Sequence, residues 1–238
     1  MIFFSDFDGT LTLENRALTP EFFQILDHLK KNHHELVIVS GRSLSWGHFF
    51  LTHFPDINYC LMEGGGVLLK RDHRGEILEL PLVEKSEIDR LATFTSELKK
   101  QFPKIPLSVD SFGRLTDRAI EFNLMSEAEM NPVMEFMQKN KVNYSKSNVH
   151  INFWCGEISK FLGVDYFLKH EKPNLKKEES YFFGDAPNDE SMFQFFENSV
   201  GVSNIKHCLH RLKHLPRIIL EGEENAGPKG VLNFIKKF

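Results

Sequence analysis

The sequence predicts an α/β protein whose parallel-sheet core is interrupted by a smaller α+β insert. Three observations carry this. First, short apolar runs, Ile2-Phe3-Phe4, Leu36-Val37-Ile38-Val39 and Tyr181-Phe182-Phe183, have the length and continuous hydrophobicity of buried strands. Second, each run breaks into reactive polar residues: Asp6-Phe7-Asp8-Gly9-Thr10, Ser40-Gly41-Arg42-Ser43, and Gly184-Asp185-Ala186-Pro187-Asn188-Asp189-Glu190. Third, helical stretches separate these runs, except across 83–153, where the rhythm changes. Parallel strands in an open sheet end on one edge, so the polar breaks converge on one crevice.

Taken in order, strand 2–5 leads to a helix near 20–31, with Pro20 suited to its first turn and Thr19 to its N-cap. Strand 36–39, a helix near 43–53 and a strand near 58–62 follow. Glu63-Gly64-Gly65-Gly66 then precedes a hairpin through 67–80, with its turn at Asp72–Gly75 and a linker after Pro81. The segment 83–153 reads α-β-β-α-β-β: helix Lys85–Phe102, strand-like runs Ile105–Asp110 and Ala119–Leu124, helix Glu127–Asn140, and runs Val142–Ser145 and Val149–Phe153. Ser126 with Glu129 forms a capping box for the second helix. This pattern is an antiparallel sheet with helices on one face. From Lys160 the α/β alternation returns: a helix to His170, strand 181–183, helix 189–196, strand 199–202, a helix near 204–213, strand 217–220, and a last helix after Gly227-Pro228. The core is therefore discontinuous, 1–82 with 154–238, and 83–153 forms a separate domain.

Composition narrows the function. The chain has 238 residues, 41% hydrophobic and 26% charged, as in an ordinary globular protein. A net charge of −4 gives no basic footprint for nucleic acid. The 23 phenylalanines are spread along the chain and read as core filler. Three cysteines, Cys60, Cys155 and Cys208, argue against a disulfide framework and for a reducing compartment. The amino terminus enters a strand at once, without a leader's basic region, and no apolar run approaches the ~20 residues that span a bilayer. The expectation is a cytoplasmic protein with no membrane partner.

The polar breaks supply the chemistry. Asp6 and Asp8 at a strand exit can share a divalent cation, and one of them can attack a phosphoryl group. A hydroxyl with adjacent backbone N–H groups at Ser40-Gly41, a lysine at Lys160 and a third carboxylate at Asp185 complete an inventory for holding a cation and a phosphate. Each has a bland alternative: turns for Asp-Gly and Ser-Gly, a solvated surface for the lysine, helix caps for Asn188 and Asp189. The ordered company of all four segments favours the chemical reading.

That order, DxDGT, then Ser-Gly-Arg, then Lys, then GDxxND, resembles the haloacid dehalogenase superfamily of phosphatases. About 117 residues lie between Arg42 and Lys160, where the type-IIB members carry an inserted cap. The resemblance implies a Rossmann-like core and, at 83–153, the smaller αββαββ form of that cap. It implies that Asp6 is the nucleophile of an aspartyl-phosphate mechanism and that Mg²⁺ is the cofactor, held by Asp6, the backbone carbonyl of Asp8, and Asp185. Asp8 is then the general acid and base, a position that is threonine in the superfamily's ATPases. Ser40 and the Gly41 N–H bind the phosphoryl oxygens, with Asn188 contacting the phosphate or supporting its loop. Lys160 supplies positive charge, and Asp189 orients Lys160 or a metal-bound water.

Specificity falls to the cap. Its strands alternate, with Asp110, Glu121, Asn123, His150 and Asn152 on the polar face, opposite Ile105, Leu107, Ile120, Phe122, Val149, Ile151 and Phe153. Such a face suits a polyhydroxylated leaving group, so a sugar phosphate is the expected partner, although any one-sided sheet has a wet polar face. Size and cap pattern are nearest to the trehalose-6-phosphate phosphatases, which have Asp and Thr where this chain has Ala186 and Asn188. Sucrose-phosphate and mannosylglycerate-phosphate phosphatases stay open. The alternatives are a phosphomannomutase-like phosphotransferase, which would share the catalytic set, and a non-catalytic phosphate-binding protein, which would need none of it. His207, Cys208, His210 and His214 fit the solvated side of a helix better than a zinc site.

Overall fold

A computed structural model describes residues 1–13, 16–146 and 150–238. Its elements are β1 (Ile2–Ser5), α1 (Pro20–Lys31), β2 (Glu35–Val39), α2 (Leu44–His53), β3 (Tyr59–Met62), β4 (Val67–Arg71), β5 (Ile77–Pro81), α3 (Lys85–Gln101), β6 (Asp117–Ile120), α4 (Glu127–Lys139), β7 (Asn143–Lys146), β8 (Ile151–Trp154), α5 (Lys160–His170), β9 (Ser180–Gly184), α6 (Glu190–Phe195), β10 (Ser199–Gly201), β11 (Ile218–Ile219) and α7 (Pro228–Ile235). The larger sheet has eight strands in the order β11-β10-β9-β1-β2-β3-β4-β5. Pairing is parallel from β11 through β3, and the β3-β4-β5 hairpins add an antiparallel edge.

Register places the site. Ser5 lies opposite Ile38 on one side and Phe183 on the other, so β1, β2 and β9 run out level with one another. The Asp6 N–H still donates to the Phe183 carbonyl at 2.9 Å, and that of Ser40 to Leu61 at 2.8 Å. Because side chains alternate across a strand, β1 anchors both apolar layers. Phe3 packs with Ile38, Phe183 and Val200 on one face, while Phe4 packs with Val37, Phe167 and Phe182 on the other. All of these are fully buried. Burying a phenylalanine contributes roughly 1.5–3 kcal/mol, which is why this short strand can hold a charged edge in place.

Residues 85–154 build the second layer. Strands β6-β8-β7 form an antiparallel sheet. Leu91, Phe94 and Leu98 of α3 and Val133 and Met137 of α4 bury against Ile120, Ile151 and Phe153 of that sheet. The Ser126–Glu129 capping box forms as expected. Ile105–Asp110 does not form a strand: it makes one isolated bridge, Leu107 to Ile120, before Val109–Gly113 winds into a 3₁₀ turn. Pro103 and Pro106 lack the N–H a ladder needs, and Asp110-Ser111 favours a turn. Ala119–Leu124 likewise stops pairing at Ile120, and Phe122–Leu124 is 3₁₀. Val149, expected to open the last strand, lies outside the described residues.

In the core, the helix expected near 204–213 is two 3₁₀ turns, Ser203–His207 and Leu209–Arg211. Side chains tie this segment to the site: Asn204 donates to the Gly9 carbonyl at 3.0 Å, and the Cys208 thiol to the Asp185 carbonyl at 3.2 Å. Thr19 takes the N-cap position of α1 with no side-chain capping bond. The three cysteines are free and buried. Among the described residues no helix is long and apolar enough to cross a membrane.

Candidate active site

Asp6 leaves β1 into a fully buried position, and Lys160, the first residue of α5, reaches it from the opposite side of the crevice. The helix begins there because Ser159 caps it, its hydroxyl accepting from the Leu162 N–H at 3.2 Å. The Lys160 ammonium donates to Asp6 Oδ1 and, at 2.6 Å, to Asp189 Oδ1. Asp189 is fully buried, and its other oxygen accepts the N–H groups of Asp185 and Ala186 at 2.9 and 3.1 Å. Both Asp189 oxygens are therefore committed, and its geometry orients Lys160 and the loop after β9. Burial works against a charged Lys160, but the carboxylates of Asp189 and Asp6 more than offset it and hold the ammonium protonated. Burial pushes the Asp6 carboxyl up to about 7, with Lys160 opposing only part of that rise.

Asp185 sits beside this pair. Thr10 donates to its Oδ1 at 2.9 Å and Asn204 to its Oδ2 at 2.8 Å. Gly9 makes room for it: φ is +86°, and a Cβ there would lie 2.3 Å from Asp185 Oδ2. Burial, with the charges of Asp6 and Asp189, holds the Asp185 carboxyl well above the usual carboxylate range. Oxygens of Asp6, Asp185 and Asp189 all lie within 4.8 Å of one another. Three carboxylates against one ammonium leave excess negative charge among hard oxygen donors, a donor set that fits Mg²⁺. No other group of three or more His, Cys, Asp or Glu side chains among the described residues could do this.

The Asp8 side chain turns away from that cluster. Arg42 grips it with two parallel bonds, Nε to Oδ2 at 2.6 Å and Nη2 to Oδ1 at 2.5 Å. The guanidinium also stacks on Trp46, 3.8 Å from the ring centroid. Ser40 is buried at the end of β2, where its hydroxyl accepts the Arg42 N–H at 3.2 Å. A Cβ built on Gly41 would meet nothing within 4 Å, so the backbone there borders open space. Asn188 is exposed, on the turn leading into α6.

Four of the five candidate specificity residues are engaged in pairs within the insert. Asp110 accepts two bonds from Arg114, at 3.1 and 2.9 Å. Asn152 donates to Asp117 at 2.8 Å, and Asp117 in turn pairs with Arg114 at 2.8 Å. His150 faces Glu121 at 2.9 Å, and Asn123 is exposed. Thr10, Arg42, Asn204, Glu63 and Arg114 were not assigned by the sequence reading. Thr10 and Arg42 lay inside the motifs; Glu63 preceded a triple glycine; nothing local distinguished Asn204 or Arg114.

A family model described as haloacid dehalogenase-like hydrolase matches residues 3–106 and 122–215. No curated protein matches by sequence. Among solved structures, a Thermoplasma acidophilum protein superposes with a TM-score of 0.76 at 16% identity, covering 100% of this chain and 98% of its own. A haloacid dehalogenase-like hydrolase from Bacteroides thetaiotaomicron gives 0.73 at 17% identity, covering 99% and 98%. The sucrose-phosphatase of Synechocystis sp. PCC6803, solved with sucrose and phosphate, gives 0.70 at 13% identity, covering 100% and 97%. At these identities the structures speak for the fold, and the family match covers most of the chain. Asp6, Ser40 and Asp185 follow strands that end on one sheet edge, Lys160 is bonded to Asp6, and the match over most of the chain gives the family: this chain belongs to the haloacid dehalogenase-like hydrolases.

Proposed function

We propose that the protein is a Mg²⁺-dependent phosphomonoesterase that hydrolyses a small sugar phosphate through an aspartyl-phosphate on Asp6. The observation that carries it is Asp6 itself: a fully buried carboxylate at a parallel-sheet edge, bonded to the buried ammonium of Lys160, with the Asp185 carboxylate within 4.8 Å. Asp6 and Asp185 would hold the metal, which when bound offsets the repulsion between the nucleophile and the phosphoryl oxygens.

One oxygen of Asp6 forms a bond to phosphorus as the bond to the leaving oxygen breaks, and Asp8 gives that oxygen its proton. Asp8 then takes a proton from water, whose oxygen attacks phosphorus and releases Asp6 with inorganic phosphate. Lys160 and the Ser40-Gly41 backbone meet the charge on the phosphoryl oxygens. The residues 83–153 act as the cap and enclose a polyhydroxylated leaving group. The sucrose and phosphate of the Synechocystis structure support that class. The three free, buried cysteines support a reducing, cytoplasmic setting.

The test is phosphate release from a panel of phosphomonoesters, with Mg²⁺ or with EDTA, using Asp6→Asn as control. Metal-dependent release concentrated on one hexose or disaccharide phosphate and absent in the variant is expected. Metal-independent release, or release that survives Asp6→Asn, would overturn the reading.

A further inference from the structure

A turn outside the four motifs joins the phosphate loop, the lysine helix and the insert. It is Glu63-Gly64-Gly65, following β3. Glu63 has φ +54°, the left-handed region, where the chain uses glutamate although glycines follow at once. A non-glycine residue is strained there, so its side chain must contribute something a glycine could not.

That side chain is almost fully buried and crosses to the insert. Its carboxylate accepts the Leu115 N–H at 2.9 and 3.1 Å, the Thr116 N–H at 2.6 Å and the Thr116 hydroxyl at 2.8 Å. Arg114, also buried, crosses in the opposite direction: Nη1 donates to the Gly41 carbonyl at 3.0 Å and to Asp117 at 2.8 Å, while Asp110 holds Nε and Nη2. The turn's own backbone reaches the same loop, with Glu63 N–H donating to the Arg42 carbonyl and Gly64 N–H to that of Ser40, each at 3.0 Å. On its other side it lies against the start of α5, where a Cβ on Gly65 would sit 2.3 Å from the Ser159 carbonyl and 3.2 Å from Lys160 Cα.

We propose that Glu63 and Arg114 form a two-way clasp that couples seating of residues 110–118 on the core to alignment of the Ser40-Gly41 loop and Lys160, making both positioning residues for phosphoryl transfer. The proposal rests on the phosphatase reading above. The Glu63 carboxylate meets its three donors, the Leu115 and Thr116 N–H groups and the Thr116 hydroxyl, and Arg114 meets the Gly41 carbonyl, only when the two layers are seated. Opening them breaks these cross-layer bonds together. Seating therefore holds the peptide at Gly41 from both sides, and small displacements of such groups reduce turnover steeply.

The experiment compares wild type, Glu63→Gln and Arg114→Lys by amide exchange at Leu115 and Thr116 and by kcat and KM on p-nitrophenyl phosphate with Mg²⁺. Glutamine fills the same space but turns an amide donor toward donors, which keeps the variant foldable where alanine would leave a hole. In Glu63→Gln, exchange at the two amides should rise at least about ten-fold and kcat fall about ten-fold or more, with KM within about three-fold. Arg114→Lys should reproduce the kcat loss. Faster exchange with unchanged kcat would overturn the positioning role, and unchanged exchange would overturn the clasp. No wild-type activity on p-nitrophenyl phosphate or on any of the phosphomonoester panel would instead sink the phosphatase reading and the catalytic half of this proposal, with exchange still deciding whether the clasp exists.

Discussion

Replacing Lys160 by methionine keeps the length and volume of the side chain and removes the ammonium between Asp6 and Asp189. Both pairs are buried, with the side chains at 4% exposure or less. Removing one partner of such a pair costs about 3–5 kcal/mol, because the other charge stays buried and uncompensated. For a chain of this size each kcal/mol lowers Tm by roughly 2–4 °C, so the expected loss is about 6–20 °C at pH 8.

The loss should depend on pH, with a definite sign. Asp6 already has its carboxyl raised to about 7 with Lys160 present, and removing the cation raises it further. A carboxylate raised on folding contributes stability below its unfolded pKa and loses it as pH climbs through the folded value. At pH 5.5 both proteins hold Asp6 protonated, so the deficit there comes only from Asp189, left without its cation. Toward pH 8 the deficit grows by up to about 1.4 kcal/mol per pH unit for each proton kept by the fold. Calorimetric Tm values for both proteins from pH 5.5 to 8, without metal, measure this. Mg²⁺ should restore part of the deficit at pH 8. A Tm difference that stays constant across the range would refute the reasoning, since Lys160 would then stabilise by packing alone.

Gly9→Ala should weaken Mg²⁺ affinity about 10–100-fold by titration calorimetry, because its Cβ would displace Asp185 and its φ is left-handed; unchanged affinity would remove Asp185 from the metal site. Asp8→Asn keeps an acceptor for Arg42 but cannot transfer a proton, so turnover should fall about 10²–10⁴-fold while Mg²⁺ binding holds; lost metal binding would contradict the acid–base role given to that side chain. Because burial raises the carboxyls of both Asp6 and Asp185 without metal, Mg²⁺ binding at pH 6 should release about one proton or more, and fewer at pH 8.5. Binding enthalpies in two buffers of different ionisation heat measure that release, and no buffer dependence at pH 6 would count against Asp6 as a ligand.

Sequence reading located the core because strands buried on both faces announce themselves: Phe3-Phe4, Val37-Ile38 and Phe182-Phe183 have no other place to go. Their level register then made the motif residues meet. The insert was less legible. Ile105–Asp110 alternates like a strand, yet Pro106 and the Asp110-Ser111 turn prevail over the alternation, leaving one bridge at Leu107. The polar face read as a binding surface is largely spent on internal pairs, since alternation shows which way a side chain points and not what it meets there. Glu63 and Arg114 were illegible for a related reason. Their partners lie 52 and 73 positions away in the chain, and only the assembled layers bring them together.

The Asp8–Arg42 pair tests whether the acid–base role is physically reasonable, because a carboxylate clamped by a guanidinium is a poor proton donor. Its worth decides the matter. Both side chains are about a third exposed, at 36% and 30%, and exposed pairs contribute only about 0–1 kcal/mol. Arg42 does not depend on Asp8 for its place, since it lies on the Trp46 ring and near Phe7. Lys160 and Asp189, by contrast, are sealed and expensive to separate. The site thus combines one rigid ion pair, behind the nucleophile we propose, with one that opens at small cost, beside the residue that on the same proposal exchanges a proton with a leaving group and then with water. That division is what a two-step phosphoryl transfer requires: a nucleophile whose position does not vary, and an acid–base group free to turn from one partner to the next.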